Sequence, residues 1–231
     1  MIRKQSPLLV AALLLCAAFA AHAQPLLPEA YQPGRDYFPL QPSLSVRDPK
    51  KVEVMEVFRY GCIHCYRFDP TVKKWEKTLA KDVDFYRLPV IWDSETELQA
   101  RALFTAQAFG IAEQIHDAMF SVIWNAPGAP APLNSVARIK QLFIDQKIDG
   151  DKFDKTFEKS PAISSRINEA RTRVQACKIE GTPEIVVAGK YRISGAAFHE
   201  AGEQAVFAKM LAVADYLVDK ERKSMAAKTT K

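Results

Sequence analysis

The chain has 231 residues, 48% of them hydrophobic, with 32 Lys and Arg against 27 Asp and Glu. That length buries a core large enough for one domain, or one domain with an insertion, without disulfide staples. The formal net charge of +5 falls to about +3 once Arg3 and Lys4 are discounted as part of a removable segment, which is too little, and too interspersed with acids, to point to nucleic acid.

Met1-Ile2-Arg3-Lys4 is a short basic stretch, Leu8 to Ala20 is apolar, and Ala21-His22-Ala23 offers small residues before Gln24. This pattern reads as a secretory signal peptide, residues 1–23, cleaved after Ala23. The apolar run is shorter than the ~20 residues that span a bilayer, which disfavours a membrane anchor. Leu15 before Cys16 is bulkier than the residue that precedes a lipid-attachment cysteine. A bacterial export signal places the mature chain in the periplasm, where thiols can be oxidised. Residues 24–48, with Pro25, Pro28, Pro33, Pro39 and Pro42, read as an extended lead-in with a short strand candidate near Asp36-Tyr37-Phe38.

Lys51 to Phe58 is a largely apolar run carrying Glu53 and Glu56, the pattern of a strand covered on both faces. Gly61-Cys62-Ile63-His64-Cys65-Tyr66 follows, opening a helical periodicity through Phe68, Val72, Trp75 and Leu79 that predicts a helix from about Ile63 to Ala80, kinked near Tyr66 by Pro70. Two cysteines two residues apart in one helical turn form a dithiol. The unpaired N–H groups and partial positive charge of the helix start favour thiolate on the first of them. Cys62 is therefore the expected nucleophile and Cys65 its resolving partner in thiol-disulfide exchange. Val83 to Leu88 reads as a second, parallel strand.

From residue 93 to 179 helical patterns replace strands. Ile111, Ile115, Ala118 and Val122 form one stripe, Val136, Ile139 and Phe143 another, Phe153 and Phe157 a shorter one, with Pro127, Pro130 and Pro132 breaking the helices. These stripes read as a packed core. Ile163, Ile167, Ala170, Val174 and Cys177 share one helical face, so Cys177 reads as a buried core residue. Glu184 to Val187 and Lys190 to Ile193 make a hairpin around Ala188-Gly189, and Phe207, Met210, Leu211, Ala214 and Leu217 line a final helix. The order implies an α/β sheet domain, residues 49–92 and 180–222, interrupted by a helical insertion, 93–179, and followed by a basic flexible tail, 223–231.

Tyr60 to Phe68, the Gly181-Thr182-Pro183 loop, Gly189-Lys190-Tyr191 and Ala214-Asp215-Tyr216-Leu217 together resemble the DsbA family of periplasmic disulfide oxidases, over roughly Tyr37 to Lys220. The resemblance implies a thioredoxin-like fold with a large helical insertion, a monomer that donates its disulfide to reduced exported proteins, and reoxidation by a DsbB-like membrane oxidase. It also implies that Pro183 is a cis-proline facing the dithiol, that the Thr182 backbone pairs with substrate, and that His64 stabilises the Cys62 thiolate. Glu56 matches the family's buried acid, a candidate proton relay for Cys65; a partly exposed strand carboxylate is the other reading. Ile63 stands where these oxidases usually have proline and Thr182 where they usually have valine, so both bear on redox poise.

No cofactor is implied, and metal binding is disfavoured because structural zinc takes four ligands while the mature chain offers only Cys177 beyond the pair. The rival readings are a disulfide isomerase or reductase of the same fold, favoured by Thr182, and a redox-silent peptide-binding or chaperone domain.

Overall fold

The protein is described by a computed structural model over residues 30–200 and 202–229; the expected signal peptide and the first residues of the lead-in lie outside the described residues. The apolar run forms strand β2 (Val52–Phe58), buried along its whole length, Glu56 included. It can be buried because both edges are paired: β3 (Val83–Pro89) runs parallel to it and β4 (Glu184–Val187) antiparallel. β5 (Tyr191–Ser194) continues from β4, and β1 (Phe38–Pro39) pairs with β5. The mixed sheet has the order β1-β5-β4-β2-β3.

The edge strand starts later than the sequence pattern suggests. Asp36 closes a turn, accepting a hydrogen bond from the Gln32 N–H at 2.9 Å, and the pairing begins at Phe38. Pro39 is tolerated there because an edge position needs no ladder donor from it.

Helix α1 (Ile63–Glu76) follows β2, and five helices then separate β3 from β4: α2 (Ser94–Ala108), α3 (Ala112–Trp124), α4 (Val136–Asp145), α5 (Gly150–Lys159) and α6 (Pro161–Ala176). α7 (Glu203–Thr229) closes the fold. α1 runs through Pro70 without interruption and stops short of Ala80, where Thr78 and Leu79 bond back to the carbonyls of Trp75 and Glu76. Residues 223–229, expected as a flexible tail, extend α7 instead.

Three apolar clusters hold these layers together. On one sheet face Val52, Val54, Ile185 and Ile193 pack against Phe68 and Val72 of α1 and Phe207, Met210 and Leu217 of α7. On the other face Met55, Val57 and Val186 meet Phe104 of α2 and Ile163, Ile167, Ala170, Val174 and Cys177 of α6, the predicted face of that helix. The third cluster is the helical block itself, with Ile115, Met119, Phe120, Ile139, Phe143, Phe153 and Phe157, and it takes in Phe58, Tyr60 and Cys65. Burying each such side chain is worth about 1.5–3 kcal/mol. α3 is rotated from the predicted stripe: Ile115, His116, Met119, Phe120 and Ile123 are buried, while Ile111, Ala118 and Val122 lie at the boundary. A buried histidine on this face obscured its phase.

The β4–β5 turn fixes the lead-in to the sheet. Ala188 and Gly189 both have positive φ, and Lys190 N–H bonds to the Val187 carbonyl at 2.9 Å, the arrangement that suits the right-handed twist of a hairpin. The Leu44 N–H bonds to the Gly189 carbonyl at 2.8 Å, and a Cβ on Gly189 would stand 2.6 Å from the Leu44 carbonyl oxygen. Gly189→Ala should therefore cost more than about 1 kcal/mol in urea denaturation, whereas Gly181→Ala, with open space around its Cβ position, should cost less.

Candidate active site

Cys62 is the N-cap of α1, with extended backbone (φ −102°, ψ 117°). The helix has no side-chain cap and no acidic residue in its first turn, so the position where a serine or aspartate oxygen would accept the first N–H groups is left to sulfur. The Cys62 thiol is held down at about 5, first by a hydrogen bond from Cys65, then, against a contribution from burial, by Thr182 and by the backbone N–H groups of Cys65 and His64. Cys65 behaves oppositely: only 1% exposed, its thiol is pushed well above the ordinary range by burial and by the neighbouring Cys62 sulfur. Both are free thiols in this structure.

The second wall of the site arrives from more than a hundred residues away. The Thr182–Pro183 peptide is cis, and the Thr182 carbonyl accepts from the Cys62 thiol at 3.3 Å. A groove of about 370 Å³ opens beside it, lined by His64, Thr182, Pro183, Val206, Phe207 and Met210 among others. Ile63 is the first residue of α1 and half-buried. The exposed His64 ring uses Nδ1 to hydrogen-bond Glu203 at the start of α7, which also pairs with Arg67 at 3.4 Å. What His64 gives the Cys62 sulfur is its backbone N–H.

Glu56 is 3% exposed, which excludes the partly exposed reading. It lies opposite Arg87, 3.2 Å from its Nε, in a geometry that makes no hydrogen bond. Burial raises the Glu56 carboxyl to about 7, with Arg87 opposing and Asp69, Glu76 and Glu113 adding to the rise. Arg87 also pairs with Glu76 at 3.1 Å and Glu113 at 3.3 Å.

The structure adds a group that the sequence analysis did not single out. Tyr60 hydrogen-bonds His116 Nδ1 through its hydroxyl at 2.9 Å, and His116 Nε2 meets Asp69 at 2.9 Å, all three buried. Burial raises the Asp69 carboxyl, but His116 and Lys73 outweigh it and the net shift is downward. The carboxylate thus accepts from Nε2–H, and in the neutral ring Nδ1 is left to accept from the tyrosine. The sequence signal was available as polar residues on buried faces, Asp69 between Phe68 and Val72 and His116 between Ile115 and Met119.

Among the described residues no group of three or more histidine, cysteine or acidic side chains is placed to hold a metal. None of their helices is long and apolar enough to cross a membrane.

The DSBA-like thioredoxin domain family matches residues 77–207, a segment that includes Thr182 and Pro183 and leaves out the dithiol. The thiol:disulfide interchange protein DsbA of Pseudomonas aeruginosa is 32% identical over 215 residues, 93% of this chain and 96% of that protein, a span that takes in both. The protein of the same name from Pseudomonas syringae is 33% identical over 96% of this chain and 97% of its own length. Crystal structures of DsbA from Pseudomonas aeruginosa (TM-score 0.74, 31% identity, covering 84% of this chain and 96% of that one) and from Xylella fastidiosa (0.72, 30%, 84% and 98%) have the same fold.

The opposed thiols fix a pH dependence. A thiol whose folded pKa lies below its unfolded value adds stability that is fully present above the unfolded pKa and is lost as pH falls through the folded one. The stability of the reduced protein relative to the oxidised one should therefore shrink between about pH 9 and pH 5, by at most about 1.4 kcal/mol per pH unit, as read from urea midpoints of the two forms. Cys177 is fully buried and its thiol is raised to about 11 by burial. At mildly acidic pH iodoacetamide should label Cys62 alone, with Cys177 reacting only after denaturation; rapid Cys177 labelling would contradict its buried placement.

Proposed function

The chain belongs to the DSBA-like thioredoxin domain family, and from that premise we propose that it is a thiol-disulfide oxidoreductase of the periplasm that donates a Cys62–Cys65 disulfide to exported proteins during oxidative folding. The observation that carries this reading is the opposition of the two thiols, one held near 5 and the other pushed up by burial. A stabilised Cys62 thiolate favours the reduced form, and so makes the disulfide a ready oxidant.

A substrate thiolate attacks the more exposed Cys62 sulfur; a bond forms between them, the Cys62–Cys65 bond breaks, and the electron pair leaves on Cys65. A second substrate thiolate then attacks the substrate sulfur of the mixed disulfide, expelling Cys62 as a stabilised thiolate and leaving the enzyme reduced. The exchange balances between sulfurs and needs no cofactor.

Several features support roles for the remaining site residues. The Thr182 backbone beside Cys62 suits edge-strand pairing with a substrate segment, and Pro183 lines the adjoining groove. Ile63, at the first helical position, and His64, through its N–H, set how the helix start meets the sulfur. Glu56, with a carboxyl near 7, can exchange a proton at neutral pH and is the candidate relay for Cys65. Residues 1–23 serve as the export signal, a DsbB-like membrane oxidase restores the disulfide, and the protein works as a monomer.

The equilibrium potential against glutathione tests this reading. The wild type should be distinctly more oxidising than thioredoxin, at about −270 mV, and a value equal to thioredoxin's would replace the oxidase with a reductase. Thr182→Val, which removes a hydrogen bond that lowers the Cys62 pKa, should raise that pKa and make the protein less oxidising.

A further inference from the structure

The segment between β2 and α1 touches both cysteines through its backbone. The Arg59 carbonyl accepts from the Cys62 N–H at 3.2 Å, and the Arg59 backbone draws the Cys65 thiol down against the larger effect of burial. The next residue, Tyr60, is gripped at both ends by one helix. Trp124 Nε1–H of α3 donates to the Tyr60 carbonyl at 2.9 Å, and His116 of α3, itself braced by Asp69, accepts from the Tyr60 hydroxyl. The Tyr60 ring packs edge-on against Phe58 and tilted against Phe120, 4.9 Å between centroids in each case. Past the dithiol, the Tyr66 hydroxyl donates to Asn125, the C-cap of α3, at 2.7 Å. The dithiol is therefore flanked on both sides by residues anchored to the helical insertion.

We infer that α3 positions the leaving sulfur of the dithiol: His116 and Trp124 hold Tyr60 so that the Arg59 backbone supports Cys65 when substrate displaces it. This rests on the exchange reaction proposed above. In the first step a thiolate bonds to Cys62, the Cys62–Cys65 bond breaks, and Cys65 takes the electron pair while still enclosed in apolar surroundings. The attacking sulfur is oxidised and Cys65 reduced; the proton that the attacking thiol gave to water is balanced by one taken up at Cys65. Backbone that favours the thiolate on that sulfur stabilises the departing group and speeds the step. Because the group is backbone, only the placement of the chain can aim it. Tyr60, His116 and Trp124 are positioning residues, none of them a participant in bond making.

The test uses the oxidised protein and reduced glutathione, with acid-quenched time points giving the rate of attack on the disulfide. Tyr60→Phe and Trp124→Phe each remove one hydrogen bond and keep an aromatic ring, and each should slow the attack roughly three- to tenfold; the double variant should fall short of the product of the two, since both bonds hold one residue. His116→Leu should slow it likewise, and His116→Gln, which retains an acceptor and a donor, should recover much of the rate. The Cys62 pKa, read from thiolate absorbance, should stay at its wild-type value throughout. Phe153→Leu, whose ring packs against Phe143 and Phe157, controls for lost stability and should leave the rate unchanged. Wild-type rates in Tyr60→Phe and Trp124→Phe, a slowdown matched by Phe153→Leu, or a slowdown that tracks a shifted Cys62 pKa would each overturn the inference. A wild type that does not react with glutathione at all would instead remove the exchange reaction on which it rests.

Discussion

The site depends on the open N-terminus of α1. Its first N–H groups have neither a side-chain cap nor an acidic residue to satisfy them, and the Cys62 sulfur stands in that place. A thiolate there gains hydrogen bonds and a favourable dipole, whereas a disulfide sulfur carries no charge to be stabilised. The energy of a helix cap thus becomes a preference for the reduced form, and a preference for the reduced form is oxidising power toward any other thiol.

That arrangement requires the helix start to be held still, and the fold does so from three directions. β2 is paired on both edges, between β4 and β3, and delivers the chain to residue 58 from inside the sheet. The Thr182 loop enters just before β4, which is hydrogen-bonded to β2, so its carbonyl is tied to the strand that carries the dithiol. The helical insertion contributes the third hold, since Tyr60 and Cys65 pack in its apolar cluster. The insertion is therefore part of the wall behind Cys65.

Beneath the site lies a set of buried charges that hydrophobic residues would have filled more cheaply. Glu56, Arg87, Asp69 and His116 are all buried, and desolvating such groups costs several kcal/mol per ion before their mutual attraction is counted. Arg87 partners Glu56, Glu76 and Glu113, while Asp69 is satisfied by His116 and Lys73. Glu56 is the member left with a raised carboxyl because its pairing with Arg87 does not offset its complete burial.

The sequence by itself determined the elements and the chemistry that are local. The Cys62–Cys65 spacing at a helix start, the apolar run of β2, the buried face of α6 with Cys177 and the β4–β5 hairpin are set by periods of 2 and 3.6 residues and by turn chemistry within a few positions. Resemblance singled out Pro183 among fourteen prolines, and Thr182 before it. Only the tertiary structure decided what depends on distant segments meeting: the carbonyl of Thr182 on the Cys62 sulfur, the turning of His64 toward Glu203, the burial of Glu56, and the Tyr60–His116–Asp69 chain. The phase of α3 belongs with these, because His116 on a core face signals an exposed position until it meets its partners on β2's exit and on α1. Side-chain periodicity reports which face of an element is buried, whereas the group it is buried against is fixed by the packing of the whole chain.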